Sequence, residues 1–201
     1  MSDTIIYSRS GHVARLRLNR PEVHNSLGSA DMQAIKVCLN EIADDSSVRV
    51  LIVTGTGGKT FCAGAALNEL STGEISGDSF QEVTRVMAGL EIPTICAING
   101  NLFGAGVELA LSCDFRLGIE GSRMRVPAAA LGLCYPVDGI RRFVERLGPN
   151  VAKRLLIAAE QFDAAEMLSI GFLDYLVSAD QLGEKSEALA QKIADLAPLA
   201  V

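Results

Sequence analysis

Two glycine-rich segments hold the residues whose types and spacing could do chemistry. Phe61-Cys62-Ala63-Gly64-Ala65-Ala66-Leu67 and Gly100-Asn101-Leu102-Phe103-Gly104-Ala105-Gly106-Val107-Glu108 each follow an apolar run, and each places small residues where a helix can begin. Small residues let a ligand approach the backbone, and the first turn of a helix leaves N–H groups unpaired. Two such turns side by side would aim two donors at one oxygen, which is an oxyanion hole. The same residues would equally serve tight helix–strand packing, and spacing alone does not choose between the two.

Other chemistries fit less well. Gly55-Thr56-Gly57-Gly58-Lys59-Thr60 follows a strand-like run, but a phosphate loop needs a glycine where Val53 stands. Gly104-Ala105-Gly106-Val107-Glu108-Leu109 starts like a dinucleotide fingerprint, yet Leu109 replaces the third glycine. The two histidines, His12 in an alternating run and His24 in a polar turn, lack the context of a metal or nucleophile motif. Five cysteines (Cys38, Cys62, Cys96, Cys113 and Cys134) are scattered without a C-x-x-C pair. They read as reduced thiols in a cytoplasmic protein, with no disulfide frame and no metal site.

The elements that must position these segments read as an α/β chain. Alternating runs at 3–9 and 12–19 predict two strands, and Asn19-Arg20-Pro21-Glu22 breaks them. Ser29 offers an N-cap to a helix in which Met32, Ile35, Leu39 and Ile42 recur to about Asp44. Val48 to Val53 predicts a buried strand, and the polar stretch from Ser71 to Ser79 predicts a mobile loop. A helix follows at 79–91, then a strand at Thr94 to Ile98, a short helix after Gly104, and strands at 113–119 and 123–126. From 139 onward the pattern is helical, with one strand near Asp174 to Val177. A ββα rhythm recurs without a repeat in the residues themselves.

Composition agrees with a folded chain. Of 201 residues, 49% are apolar and 21% charged, which argues against disorder. The balance of 18 basic against 24 acidic residues, net −6, disfavours nucleic acid as the main partner. No apolar run reaches the roughly 18 residues of a membrane span, and Met1-Ser2-Asp3-Thr4 lacks a signal-peptide layout.

Taken in order, several motifs resemble the crotonase family, the enoyl-CoA hydratases and isomerases. They are Asn19-Arg20-Pro21-Glu22 with Asn25-Ser26-Leu27, Val48 to Gly55, Phe61-Cys62-Ala63-Gly64-Ala65 and Ile98-Asn99-Gly100. Gly104 to Ala110, Cys113-Asp114-Phe115-Arg116, Leu131-Gly132-Leu133, Asp163-Ala164-Ala165-Glu166 and Gly171-Phe172-Leu173 follow. The resemblance implies a single α/β domain over residues 1–201, with a spiral of ββα units to about 180 and the start of a C-terminal helical region at 181–201. The family continues past the segment that matches Ala197 to Val201, so truncated or disordered C-terminal helices are expected.

The resemblance also implies an acyl-CoA thioester substrate and no cofactor beyond its coenzyme A. The N–H groups of Ala65 and Ala105 would polarise the thioester carbonyl and hold the enolate. Ala63, Ala65, Ala66, Leu67 and Asn68 would run along the CoA, with Ala105 beside them. A homotrimer or a dimer of trimers is expected.

Two departures bear on the reaction. Glu108 matches one of the two glutamates that flank water in the family's hydratases, but the second position reads Pro127-Ala128. Ala128 can neither give nor take a proton. Leu131 to Tyr135 with Gly139-Ile140 resembles the methylmalonyl-CoA decarboxylase branch, in which Tyr135 would face the acyl group, and Asp138 could replace the lost acid or merely cap a helix. The leading expectation is lyase or isomerase chemistry through a thioester enolate, foremost that of a hydratase-like lyase. The alternatives are a decarboxylase of a malonyl-type acyl-CoA and a non-catalytic CoA-binding scaffold.

Overall fold

The computed structural model describes residues 3–197. Two strands, β1 (Ile5–Ser10) and β2 (Val13–Leu18), form an antiparallel hairpin, and α1 (Ser29–Asp44) follows. Three turns of a spiral come next. β3 (Val50–Gly55), β5 (Thr94–Ile98) and β7 (Phe115–Ile119) lie parallel in one sheet of order β1-β2-β3-β5-β7-β10. β4 (Thr60–Cys62), β6 (Asn101–Phe103) and β8 (Arg123–Arg125) lie parallel in a second sheet, which β9 (Gln161–Asp163) closes antiparallel. Each turn therefore lays one strand in each sheet before a helix returns the chain. The returning helices are α2 (Leu67–Thr72) with α3 (Gly77–Ala88), then α4 (Ala105–Leu111), then α5 (Val137–Leu156). After β9 come α6 (Ala164–Ser169), β10 (Tyr175–Val177) and α7 (Leu182–Ala194).

The first sheet is covered on both faces, which is why β3 and β5 are almost wholly apolar and buried. Leu16, Leu51, Val53 and Cys96 face the main core with Phe61, Phe143 and Phe162, whereas Val13, Val50, Ile52, Ile95 and Ala97 pack under Ile193 and Ala194 of α7. Successive residues of a strand point to opposite faces, so one apolar run serves both layers.

Three details differ from the sequence expectation. The N-cap of α1 is Gly28, whose N–H donates to Asp31 Oδ2 at 2.9 Å, so Ser29 is already helical. Within the stretch 71–79, Ser71 and Thr72 end α2 and residues 77–79 begin α3, with a turn between them. The Ser76 side chain caps α3 by accepting from Ser79 N at 3.2 Å, which starts that helix two residues earlier than periodicity suggests. The three-residue strands β4, β6 and β9 carry too few residues to show a period. In the expected C-terminal helical region α7 is present, and residues 198–201 lie outside the described residues.

Candidate active site

The two glycine-rich segments meet because their strands pair. Thr60 and Cys62 of β4 pair with Asn101 and Leu102 of β6, so the chain leaves both strands at the same end of the second sheet. A methyl group on Gly64, which has φ +93°, would lie 2.8 Å from Phe103 O and 3.2 Å from Ala105 N. A methyl group on Gly106 would lie 2.6 Å from Cys62 O. Glycine at both positions is therefore demanded by close packing, as the bland reading of the small residues held.

Packing does not account for all of it. The segment 63–66 is tied down by Leu27 N donating to Gly64 O at 2.8 Å and Ala66 N donating to Leu27 O at 2.9 Å. Asn25 supports the approach, with Nδ2 donating to Thr56 O and Thr60 O at 3.0 Å each and Oδ1 accepting from Arg20 N at 2.9 Å. The Asn-Arg-Pro-Glu and Asn-Ser-Leu motifs thus staple the loop. Between the stapled residues, Ala65 N donates to no protein acceptor among the described residues. Ala105 opens α4, where no intrahelical acceptor exists for its N–H, and the chain turns into that helix at Gly104 with φ +50°. Ala65 and Ala105 line one cleft of about 200 Å³ with Ala63, Glu108, Ala128 and Tyr135.

Glu108 closes the floor of this cleft from the first turn of α4 and is 0% exposed. Two helices and a loop converge on its carboxylate. From α3, Gln81 Nε2 donates to Oε1 at 2.9 Å and reaches Oε2 at 3.2 Å, and Thr84 Oγ1 lies 3.4 Å from Oε1. From the loop before α5, the Tyr135 hydroxyl donates to Oε2 at 2.8 Å. From α5, the Arg142 guanidinium sits 3.6 Å from Oε1 and compensates the charge. A buried carboxylate without such partners would cost several kcal/mol.

Tyr135 packs edge-on against Phe143, with ring centroids 5.6 Å apart. Burial pushes its phenol well above the usual tyrosine range, and the negative charge of Glu108 and the hydrogen bond to it push it further. Gly139 makes room for the pair, since a methyl group there would lie 2.5 Å from Tyr135 Cε1 and 3.0 Å from Glu108 Oε2.

The other candidates fall in different places. Asp138, in the first turn of α5, does not line the cleft. It is half-exposed and pairs with Arg85 at 3.2 Å and Arg141 at 3.8 Å, and the N-cap of α5 is Pro136. Leu67 lies on the rim of the cleft, whereas Ala66 is buried and Asn68 is exposed outside it. His24 Nδ1 meets Thr60 Oγ1 at 3.1 Å and His12 Nδ1 meets Ser47 O at 2.7 Å, both away from the cleft. Gly139 entered the sequence reading only as part of a motif, whereas Gln81 and Arg142 escaped it. Of these, only Gln81 left a signal: a polar residue amid Phe80, Val83, Thr84 and Met87 on the buried side of α3.

The pairing of two backbone turns over a helix-borne glutamate, on a ββα spiral, defines the class of the protein. The family model described as enoyl-CoA hydratase/isomerase matches residues 8–201. The short-chain-enoyl-CoA hydratase of Clostridium acetobutylicum is 34% identical, over 99% of this chain and 78% of that protein. The crotonyl-CoA hydratase of Syntrophomonas wolfei gives the same identity and the same coverage. The crystal structure of an enoyl-CoA hydratase from Bacillus anthracis superposes with a TM-score of 0.93 at 31% identity, covering 98% of this chain and 79% of that one. This chain belongs to the enoyl-CoA hydratase/isomerase family, has the crotonase fold and is an acyl-CoA enzyme.

Proposed function

We propose that the protein catalyses reversible hydration of a short 2-enoyl-CoA through a thioester enolate. The observation that carries this reading is one cleft lined by Ala65, Ala105 and Glu108, in which the Ala65 and Ala105 backbone N–H groups have no partner among the described residues. The thioester oxygen would accept from both N–H groups, which draws electron density from C3 and stabilises the enolate. Glu108 takes a proton from water as the oxygen adds to C3, then delivers that proton to C2. One water is added and no charge is left over. The CoA would run past Ala63 to Asn68, and the reading calls for no other cofactor.

Tyr135 bears on the decarboxylase alternative. Its hydroxyl proton is already committed to Glu108 at 2.8 Å. A malonyl-type carboxylate brought to Tyr135 would meet the Glu108 anion beside it, and like charges at that range repel. Hydration is therefore the better reading, with Tyr135 orienting Glu108.

As support for assembly into a trimer or a dimer of trimers, Val137, Ile140 and Val144 expose one apolar face of α5. Five free cysteines fit a reducing, cytoplasmic setting, and we read the chain as one domain built on a shared core.

The test is incubation with crotonyl-CoA and, separately, methylmalonyl-CoA, with products identified by mass. Hydroxybutyryl-CoA from the first and no propionyl-CoA from the second is the expected outcome, and the reverse would sink the reading. Glu108→Gln should keep CoA affinity and lose about 10²- to 10⁴-fold in turnover. Binding without turnover of either substrate by the unmodified protein would point to a scaffold.

A further inference from the structure

The two oxygens of Glu108 have different surroundings. Oε2 takes the bond from Tyr135, which lines the cleft, and shares Gln81 Nε2 at 3.2 Å, whereas Thr84 and Arg142 approach Oε1 alone, where Gln81 is nearer at 2.9 Å. Beside Oε1, two buried polar atoms have no hydrogen-bond partner among the described residues: Gln81 Oε1, an acceptor, and Arg142 Nε, a donor that stands 3.6 Å from Glu108 Oε1, too far for a direct bond. Gln81 must turn its NH₂ to the carboxylate, because two facing acceptors repel, and that leaves its oxygen aimed away. Gln81 is 4% exposed. Buried polar atoms of this kind are normally satisfied by ordered water when protein offers no partner.

Gln81 and Arg142 also line a second cavity of about 220 Å³, with Arg85, Asp138, Arg141 and Glu145. Room on that scale holds several waters, each taking roughly 30 Å³. The side chains of Arg85, Arg141 and Asp138 are 66%, 64% and 46% exposed, so this chamber opens to solvent. Gln81 lines the cleft as well, so it borders both cleft and chamber.

We propose that an ordered water sits between Gln81 Oε1 and Arg142 Nε and connects Glu108 to bulk solvent from behind, so that Glu108 exchanges protons while a thioester fills the cleft. The proposal rests on Glu108 being the acid–base group. The water accepts from Arg142 Nε, donates one hydrogen to Gln81 Oε1 and turns the other to Glu108 Oε1 or to the next water. When Glu108 removes an α-proton, the C–H electrons pass into the enolate. Protonated Glu108 then passes that proton to the water chain and takes another from it. The new proton returns to the α-carbon, and the acyl-CoA is regenerated with a solvent hydrogen.

The test compares two rates in the full chain: α-hydrogen exchange of butyryl-CoA in D₂O, read by mass, and hydration of crotonyl-CoA. Hydration relays a proton within the cleft and does not need the rear water, whereas exchange does. Gln81→Leu should lower exchange severalfold more than hydration, and so should Arg142→Lys, which keeps the charge but removes Nε. The second variant stands in if the first fails to fold. Equal losses in both rates would make these residues mere supports for Glu108 and overturn the route, as would absence of exchange in the unmodified protein. Exchange that survives Glu108→Gln would instead remove Glu108 as the base, and the route with it. A crystal structure of the butyryl-CoA complex should show the water within hydrogen-bond distance of both atoms; a side chain filling the chamber would overturn the proposal.

Discussion

The Tyr135 hydroxyl donates to Glu108 Oε2 at 2.8 Å, joining the loop before α5 to the first turn of α4 across the floor of the cleft. A hydrogen bond to a charged acceptor is worth about 1.5–3 kcal/mol, more than a neutral one. The bond fixes one carboxylate oxygen and, through the Tyr135 ring on Phe143, ties it to the core.

That bond makes the protein sensitive to alkali. The Tyr135 proton is held more tightly in the folded state than in the unfolded chain, because burial and the Glu108 charge both oppose the phenolate. A raised folded-state value means its contribution is complete below about pH 10, the unfolded value, and is lost as the pH climbs toward the folded one. Urea midpoints measured from pH 9 upward should fall more steeply for the wild type than for Tyr135→Phe. Parallel curves would detach the tyrosine from the buried carboxylate. At neutral pH the same variant should hydrate crotonyl-CoA about tenfold more slowly, from the loss of one charge-assisted bond.

Gly139→Ala tests the packing around the pair. The added methyl would lie 2.5 Å from Tyr135 Cε1 and 3.0 Å from Glu108 Oε2, inside contact distance of both. The ring must move, at a cost of about 1–3 kcal/mol typical of overpacking. Turnover should drop together with the thermal midpoint, whereas Gly58→Ala, where nothing lies within 4 Å of the added methyl, serves as the mild control.

How much of this was legible depends on the span of residues that carries each signal. α1, from Ser29 to Asp44, has enough turns for Met32, Ile35, Leu39 and Ile42 to show a helical period, and β3 is apolar throughout. The short strands β4 and β6 hide inside glycine motifs, although they bring Ala65 and Ala105 into one cleft. Glu108 was found through the motif around it. Its pairing with Gln81 and with Tyr135, a residue a motif had singled out for the acyl group, was not, because each lies 27 residues away and joins it only when three helices converge. Asp138 looked close to the chemistry in sequence, but one residue along a helix is a rotation of roughly 100°, enough to place it outside the cleft while Gly139 faces Glu108.

Ala105→Pro isolates one backbone donor. Ala105 is the first residue of α4, where proline is tolerated because the N–H it removes has no helical partner. Circular dichroism should therefore be unchanged. If that N–H meets the thioester oxygen, turnover should fall about 10²- to 10³-fold, as for loss of one oxyanion donor elsewhere. Full activity in a folded variant would exclude Ala105 from the site.

The last prediction concerns the missing acid. Ala128 lines the cleft that Glu108 floors, and among the described lining residues Glu108 supplies the only carboxylate. A carboxylate offers about four acceptor sites, and Gln81 and Tyr135 already occupy both of its oxygens. Little capacity remains to orient water while also serving C2. Hydration of crotonyl-CoA should accordingly be slow beside that of a relative with two glutamates. Ala128→Glu should raise it, since one carboxylate could then hold the water while the other moves the proton. Rates measured across the acidic to neutral range for both proteins decide the matter. Fast hydration by the unmodified chain, with no gain from Ala128→Glu, would mean that Glu108 performs both steps without loss of rate.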